Sequence, residues 1–306
     1  VTRVAASVVL ALAAFAQQPA FRVDVNLVRV LATVTGPDGN LVGSLPKERF
    51  RLLDSGVPQE IAVFERSTAV PLSVAVLIDA SGSTAKELPA EIAAVRRFLR
   101  TLLREGNPSD AVALYAFNWE VAELAPFTRD VSRLERVLKR VKAEAGTSLY
   151  DALLFAAEDL EGRDGRKVIV VVTDGGDTTS SHSFRDALRA AHLAEAVVYP
   201  IVIVPVQTDA GRNVGGENAL ALLAAGTGGR AFQASLGPAL DDAFATVLSG
   251  LRTQYFLGYY PRGLPPSSGP FREIRLEVLE DGRPSASLQV SARSGYYEDS
   301  RGGSAR

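Results

Sequence analysis

The sequence predicts an α/β fold: a doubly wound, mostly parallel sheet with helices on both faces. This unit is inserted in a small β-sandwich-like domain built from the N- and C-terminal segments. Three observations carry the prediction. Between residues 71 and 253, short apolar runs alternate with segments whose apolar residues recur at helical spacing, as strands joined by crossover helices do. Val168–Val172 is an unbroken β-branched run, which suits a strand covered on both faces. On either side of this region apolar and polar residues alternate, the mark of half-buried strands.

Composition narrows the class. At about 150 residues per domain, 306 residues make about two domains. Hydrophobic residues are 47% and charged residues 22%, enough to build a core. Lys and Arg number 33 against 35 Asp and Glu, a net charge of -2, so the basic surface of a general nucleic-acid binder is missing. Cysteine is absent, which excludes disulfides, thiol catalysis, cysteine-ligated zinc and iron–sulfur clusters.

Taken in order, residues 1–16 read as a secretory signal peptide. Arg3 precedes a small apolar stretch that ends in Ala14-Phe15-Ala16, and the stretch is too short to cross a bilayer, which takes about 20 apolar residues. The mature protein is then expected outside the cytoplasm, periplasmic or secreted, without a membrane span. Residues 17–70 form the N-terminal β segment. Phe21, Val23, Val25 and Leu27 alternate with polar residues, Gly36 to Asn40 and Asp54-Ser55-Gly56 turn the chain, and Ile61, Val63 and Phe64 supply a further strand.

Residues 71–253 are the α/β unit. Strands are expected at Val74–Ile78, Ala111–Phe117, Val168–Val172 and Val197–Val204, where Pro200 points to a strand start or a bulge. Helices are expected from Leu88 to Leu102, Val131 to Val141, Leu149 to Leu160, Phe184 to Ala196, Glu217 to Ala225 and Pro238 to Leu251. Residues 254–298 return to β character. Tyr255, Leu257 and Tyr259 alternate, as do Ile274, Leu276 and Val278; Asp281-Gly282 turns the chain, and Leu288, Val290 and Ala292 read as the returning strand. Residues 299–306 are a frayed tail. The two β segments are expected to pack as one domain.

The chemistry gathers at strand ends, where ligands bind in open parallel sheets. Val74–Ile78 runs into Asp79-Ala80-Ser81-Gly82-Ser83, and Val168–Val172 into Thr173-Asp174-Gly175. Thr147 stands just before the helix that begins near Leu149. Asp79, Ser81, Ser83, Thr147 and Asp174 offer oxygen donors alone, which suits a hard cation such as Mg²⁺, or Mn²⁺ or Ca²⁺. Two carboxylates and three hydroxyls neither neutralise nor fill such a shell. Water or an incoming carboxylate must complete it.

The order Asp79-x-Ser81-x-Ser83, Thr147, Asp174 resembles the metal-ion-dependent adhesion site of von Willebrand factor type A domains, over roughly Leu72 to Leu251. The resemblance implies that the Ser and Thr hydroxyls bind the metal directly, that the aspartates bind it directly or through water, and that a partner's acidic residue supplies a last ligand. The segments Asp54 to Gln59, Gly146 to Leu153 and Phe256 to Pro261 are similar to a bacterial group of exported proteins that carry such domains. An exported, non-enzymatic module that binds a protein partner through an exposed Asp or Glu is the function this implies. A hydrolase that uses the same metal rim, or a purely structural metal, are the alternatives.

Other groups carry less. His182 and His192 lack a third ligand for zinc. Ser81, His182 and Asp174 make a hydrolase triad only on paper, without a Gly-x-Ser-x-Gly elbow. Asp151, Asp177, Thr178 and Thr179 read as loop supports near the rim, and Gly226, Gly228 and Gly229 as a helix cap. Trp119 is read either as packed on the sheet end or as an exposed anchor.

Overall fold

A computed structural model of the chain describes residues 27–66, 70–204, 213–267 and 269–298. The expected signal peptide at 1–16, strand start at Phe21 and tail from 299 lie outside the described residues.

The N-terminal segment folds as β1 (Val28–Thr35), β2 (Phe50–Asp54), β3 (Val57–Gln59) and β4 (Ile61–Arg66). The α/β unit follows with β5 (Leu72–Asp79), α1 (Leu88–Glu105), β6 (Ala111–Phe117), β7 (Val121–Thr128), α2 (Val131–Leu138), α3 (Leu149–Glu161) and β8 (Arg166–Thr173). It continues with α4 (Phe184–Leu193), β9 (Ala196–Ile203), α5 (Val214–Thr227), β10 (Phe232–Ala234) and α6 (Pro238–Thr253). The chain then forms β11 (Tyr255–Tyr259), β12 (Phe271–Glu280), β13 (Arg283–Pro284), β14 (Gln289–Ala292) and β15 (Gly295–Tyr297).

The α/β sheet runs β10-β9-β8-β5-β6-β7, parallel except for β7. Every residue of β5, β6, β8 and β9 is buried, as their near-continuous apolar runs predict. Residues of α1, α2 and α6 pack on one face of the sheet, and those of α3, α4 and α5 on the other. The chain leaves β5 toward β6 on one side and later fills β8 on the other. The crevice where strand order reverses therefore lies at the carboxyl ends of β5 and β8.

The two β segments share both of the remaining sheets. One has the order β14-β1-β11-β4, the other β13-β12-β2-β3 with β15 on β12. Their inner faces enclose a single core that includes Val30, Leu52, Tyr255, Tyr259 and Leu276. Buried Asp54 ties them together: Tyr259 Oη and Tyr296 Oη donate to its Oδ2 at 2.8 and 2.7 Å. The α/β unit is entered from β4 into the start of β5 and left from α6 into β11, so the β domain sits at the amino ends of the parallel strands. Leu31 and Phe256 join the α/β core there, and Ser294 N donates to Gly226 O at 2.9 Å. The opposite pole, with the strand carboxyl ends, faces away from it.

Four local expectations change. Pro200 neither starts β9 nor bulges it; it pairs in register with Val171. Val198 N and Val204 N point to the β10 side, at Thr227 Oγ1 and Ala234 O, and Pro200 shares their parity. Its missing donor thus faces short β10, whose ladder begins one residue later at Ile201. The helix expected to reach Val141 ends at Leu138, followed by tighter turns in which Arg140 N and Val141 N donate to Val137 O and Leu138 O. The returning strand does not pair with β12. Arg283–Pro284 and later β15 do, and Gln289–Ala292 crosses to pair with β1 in the other sheet. Finally, β7 and β10 are strands the sequence did not announce.

Candidate functional site

The rim is built where β5 and β8 end side by side, with Ile78 paired to Val172. Asp79 is wholly buried at the floor. Ser81 N donates to its Oδ1 at 2.8 Å, and Thr173 Oγ1 to its Oδ2 at 2.6 Å. Thr84 Oγ1 locks the turn by donating to Asp79 O and Ser81 O at 3.2 and 3.0 Å. This turn leads through a single 3₁₀ turn at Gly82–Thr84 towards α1 and brings the Ser81 and Ser83 hydroxyls to 3.0 Å.

A second loop, 139–148, closes over the first. Glu144 N donates to Ala80 O at 2.9 Å, and Ser148 N to Asn118 O at 2.6 Å. Gly146 makes the approach: its φ is +85°, and a Cβ there would stand 2.8 Å from Trp119 Cβ. Thr147 follows, with its N–H held at 3.0 Å by both the Thr178 and the Thr179 hydroxyls. Thr178 N returns a bond to Thr147 O at 2.9 Å, which couples this loop to the one after β8. Asp174 opens that loop, half-buried. Among the described residues, no side-chain hydrogen bond engages the Thr147 hydroxyl or the Asp174 carboxylate. Ser148 rather than Thr147 takes the N-cap position of α3.

The predicted residues are thus brought to one rim, and the loop supports behave as expected. Asp177 Oδ1 accepts from Ser180 Oγ at 2.5 Å and Tyr150 N at 3.2 Å. Asp151 accepts Ser181 N at 2.9 Å, His182 N at 3.0 Å and contacts His182 Nδ1 at 2.8 Å. His182 is therefore engaged by Asp151, not by Ser81 or Asp174, and the paper triad is not assembled. His192 is buried against Gly226 O, with its pKa pushed down to about 4 by that burial. Gly228 caps α5 in the left-handed region, as its sequence context predicts. Trp119 resolves toward the exposed reading: it is 57% exposed beside the rim.

One participant was missed. Glu91 on α1 is wholly buried and neither carboxylate oxygen has a hydrogen-bond partner among the described residues. Its signal was present in the sequence, because position 91 falls inside the apolar stripe of Leu88, Val95 and Leu102.

The electrostatics favour a cation. Burial pushes Asp79 up to about 6, against its hydrogen bonds from Thr173 and Ser81 and with a further push from Asp174. Burial, with the charges of Asp79, Glu87 and Asp174, pushes Glu91 up to about 8. Three acids thus crowd one end of the sheet, where a positive ion would relieve all of them. The Ser81 and Ser83 hydroxyls hydrogen-bond to each other at 3.0 Å, a separation that is also compatible with neighbouring ligands of an octahedral Mg²⁺, about 3.0 Å apart with oxygens at about 2.1 Å. Among the described residues no group of three or more His, Asp and Glu side chains converges on a metal position. The candidate shell is two carboxylates and three hydroxyls.

Residues 74–176, which contain Asp79, Ser81, Ser83, Thr147 and Asp174, match the von Willebrand factor type A domain family. The α/β unit is similar to that family from β5 to the loop after β8. Solved structures repeat its fold at low identity. Proximal thread matrix protein 1 from the mussel byssus is 16% identical with a TM-score of 0.51, over 63% of this chain and 48% of that one. The pilus adhesin SpaC from Lactobacillus rhamnosus GG is 10% identical with a TM-score of 0.50, over 80% of this chain and 47% of that one. BatB from Bacteroides thetaiotaomicron is 18% identical with a TM-score of 0.47, over 59% of this chain and 98% of that one. No curated protein matches the chain significantly.

Proposed function

We propose that the protein is an exported, non-enzymatic binding module whose type A domain captures an acidic side chain of a protein partner through a divalent cation. Asp79, Ser81, Ser83, Thr147 and Asp174 would hold Mg²⁺, with Mn²⁺ or Ca²⁺ as substitutes. The observation that carries the reading is the rim itself: a buried carboxylate, a hydroxyl pair at cis-ligand spacing, and a Thr hydroxyl and a second carboxylate left without side-chain partners. When bound, the cation supplies an electrophilic point at an exposed edge. Around it, Thr173 and Ser81 N fix the Asp79 carboxylate, and Thr178 and Thr179 hold the Thr147 loop in place.

The exported location rests on residues 1–16. Among the described residues no helix is long and apolar enough to cross a membrane. SpaC, with a similar fold, is a pilus adhesin. A general base for hydrolysis finds no support, since His182 is committed to Asp151 and His192 is buried elsewhere. The test is retention of Asp- and Glu-containing peptides on the immobilised protein in Mg²⁺. Asp174→Ala is expected to abolish retention with its circular dichroism unchanged; a variant that still retains them contradicts the reading.

A further inference from the structure

Beside the rim runs a shallow groove of about 450 Å³ between the start of α1 and residues 138–143. Leu88 and Leu138, both buried, form its floor, and half-buried Ile92, Val141 and Ala143 line its sides. Both of its walls lie next to rim residues in the chain. Ala85, on one lip, lies two residues past Ser83, and Ala143, on the other, precedes Glu144, whose N–H is bonded to Ala80 O.

The groove is also ringed by unmatched positive charge. Lys139 and Lys142 line it, and Lys86 and Arg140 adjoin it, all exposed. Three of the chain's five lysines are in this group. None of the four cations forms an ion pair among the described residues. The arginines further along α1 differ, since Arg96 and Arg100 are paired with Glu135, and Arg97 with Asp241. The nearby acids are Glu87 and Glu144, and Glu144 already accepts from Trp119 Nε1 at 3.4 Å. An apolar trough bordered by excess cations is complementary to an apolar side chain flanked by carboxylates.

We infer that this groove docks an acidic and apolar segment of a partner protein, seating a Leu-, Ile- or Phe-sized side chain between Ile92 and Val141. Flanking Asp or Glu residues meet Lys86, Lys139 and Lys142. The inference deepens the metal-rim reading, on which it rests for the partner's additional carboxylate, while the groove contacts themselves need no metal. The net charge of -2 provides no general attraction to anionic membranes, and a concave apolar trough suits a peptide better than a lipid surface.

The test is a selection of random linear peptides displayed on phage against the immobilised full chain in Mg²⁺. Labelled winners are then measured by fluorescence anisotropy. Winners are expected to combine Leu, Ile or Phe with adjacent Asp or Glu. Lys139→Glu/Lys142→Glu should weaken them about tenfold or more, with an unchanged melting temperature. If that double variant binds them as wild type does, or if the winners are neutral or basic, or none emerge, the inference is overturned. Asp79→Ala and EDTA separate the two readings. Loss in the double variant with no effect of Asp79→Ala or EDTA keeps the groove and rejects the metal rim. Loss in Asp79→Ala alone keeps the rim and rejects the groove. Sedimentation with phosphatidylserine vesicles that acidic peptides do not compete away would assign the charge to membranes and overturn it as well.

Discussion

Glu91 and Asp79 show how burial holds a carboxylate against its own charge. Unfolded, Glu91 ionises near its ordinary value of 4.5, whereas folded it stays protonated up to about 8. Folding therefore takes up a proton between those values, and the metal-free protein loses stability as pH rises through that window. Asp79 acts with the same sign between 3.8 and about 6. Glu91→Gln removes its own share, on the order of 4 kcal/mol at pH 8. The metal-free variant is expected to melt higher than wild type at pH 8 and close to it at pH 4.5, measured by scanning calorimetry. Equal melting temperatures at pH 8 would show that Glu91 is not held against its charge. The ligand residue types were readable in the sequence because each stands at a strand or helix end. Thr173 was placed at the exit of β8 but given no role, because its bond to Asp79 crosses between two strands, and Glu91 was passed over although it is an acid inside the apolar stripe of α1.

At the level of elements, the strands buried on both faces were legible because Val74–Ile78 of β5 and Val168–Val172 of β8 are unbroken apolar runs and β9 stays largely apolar around Tyr199 and Pro200. The edge strands were not. In β7 the apolar residues are interrupted by Glu123 and Pro126, and only Ala125 is fully buried; β10 has three residues. An edge strand has one neighbour and less to bury, so its pattern is weak. Loop 139–148 could not be placed from sequence either, because its position comes from contacts with Ala80, Asn118 and Thr178 on three other elements. Gly146 is the position that lets it close. Gly146→Ala puts a Cβ into Trp119 at a left-handed φ and is expected to cost about 1–3 kcal/mol. Urea denaturation should show that loss, together with weaker metal binding, since Thr147 is the next residue. A variant as stable as wild type would mean that the loop can close without this contact.

Across the whole molecule, the β domain is one structure made from two distant stretches of chain. The alternation in each stretch announced strands, but their pairing depended on long-range partners, which is why β14 was expected beside β12 and instead completes the sheet of β1. Asp54 is the clearest joint, reaching Tyr259 and Tyr296 across more than 200 residues of sequence. Asp54→Ala removes the buried acceptor shared by Tyr259 and Tyr296 and is expected to destabilise the chain by about 2–4 kcal/mol, seen as a lower urea midpoint; an unchanged midpoint would argue against the joint. Because this domain grips the amino ends of the parallel strands, the rim is left open at the far pole for a partner. The central claim is that Asp79, Ser81, Ser83, Thr147 and Asp174 form a working cation site. It is tested most directly by titrating Mg²⁺ and Mn²⁺ into the EDTA-stripped protein and following its melting temperature, beside Asp79→Ala. The account predicts a saturable rise in wild type that is absent from the variant; no rise at millimolar metal, or the same rise in both, would contradict it.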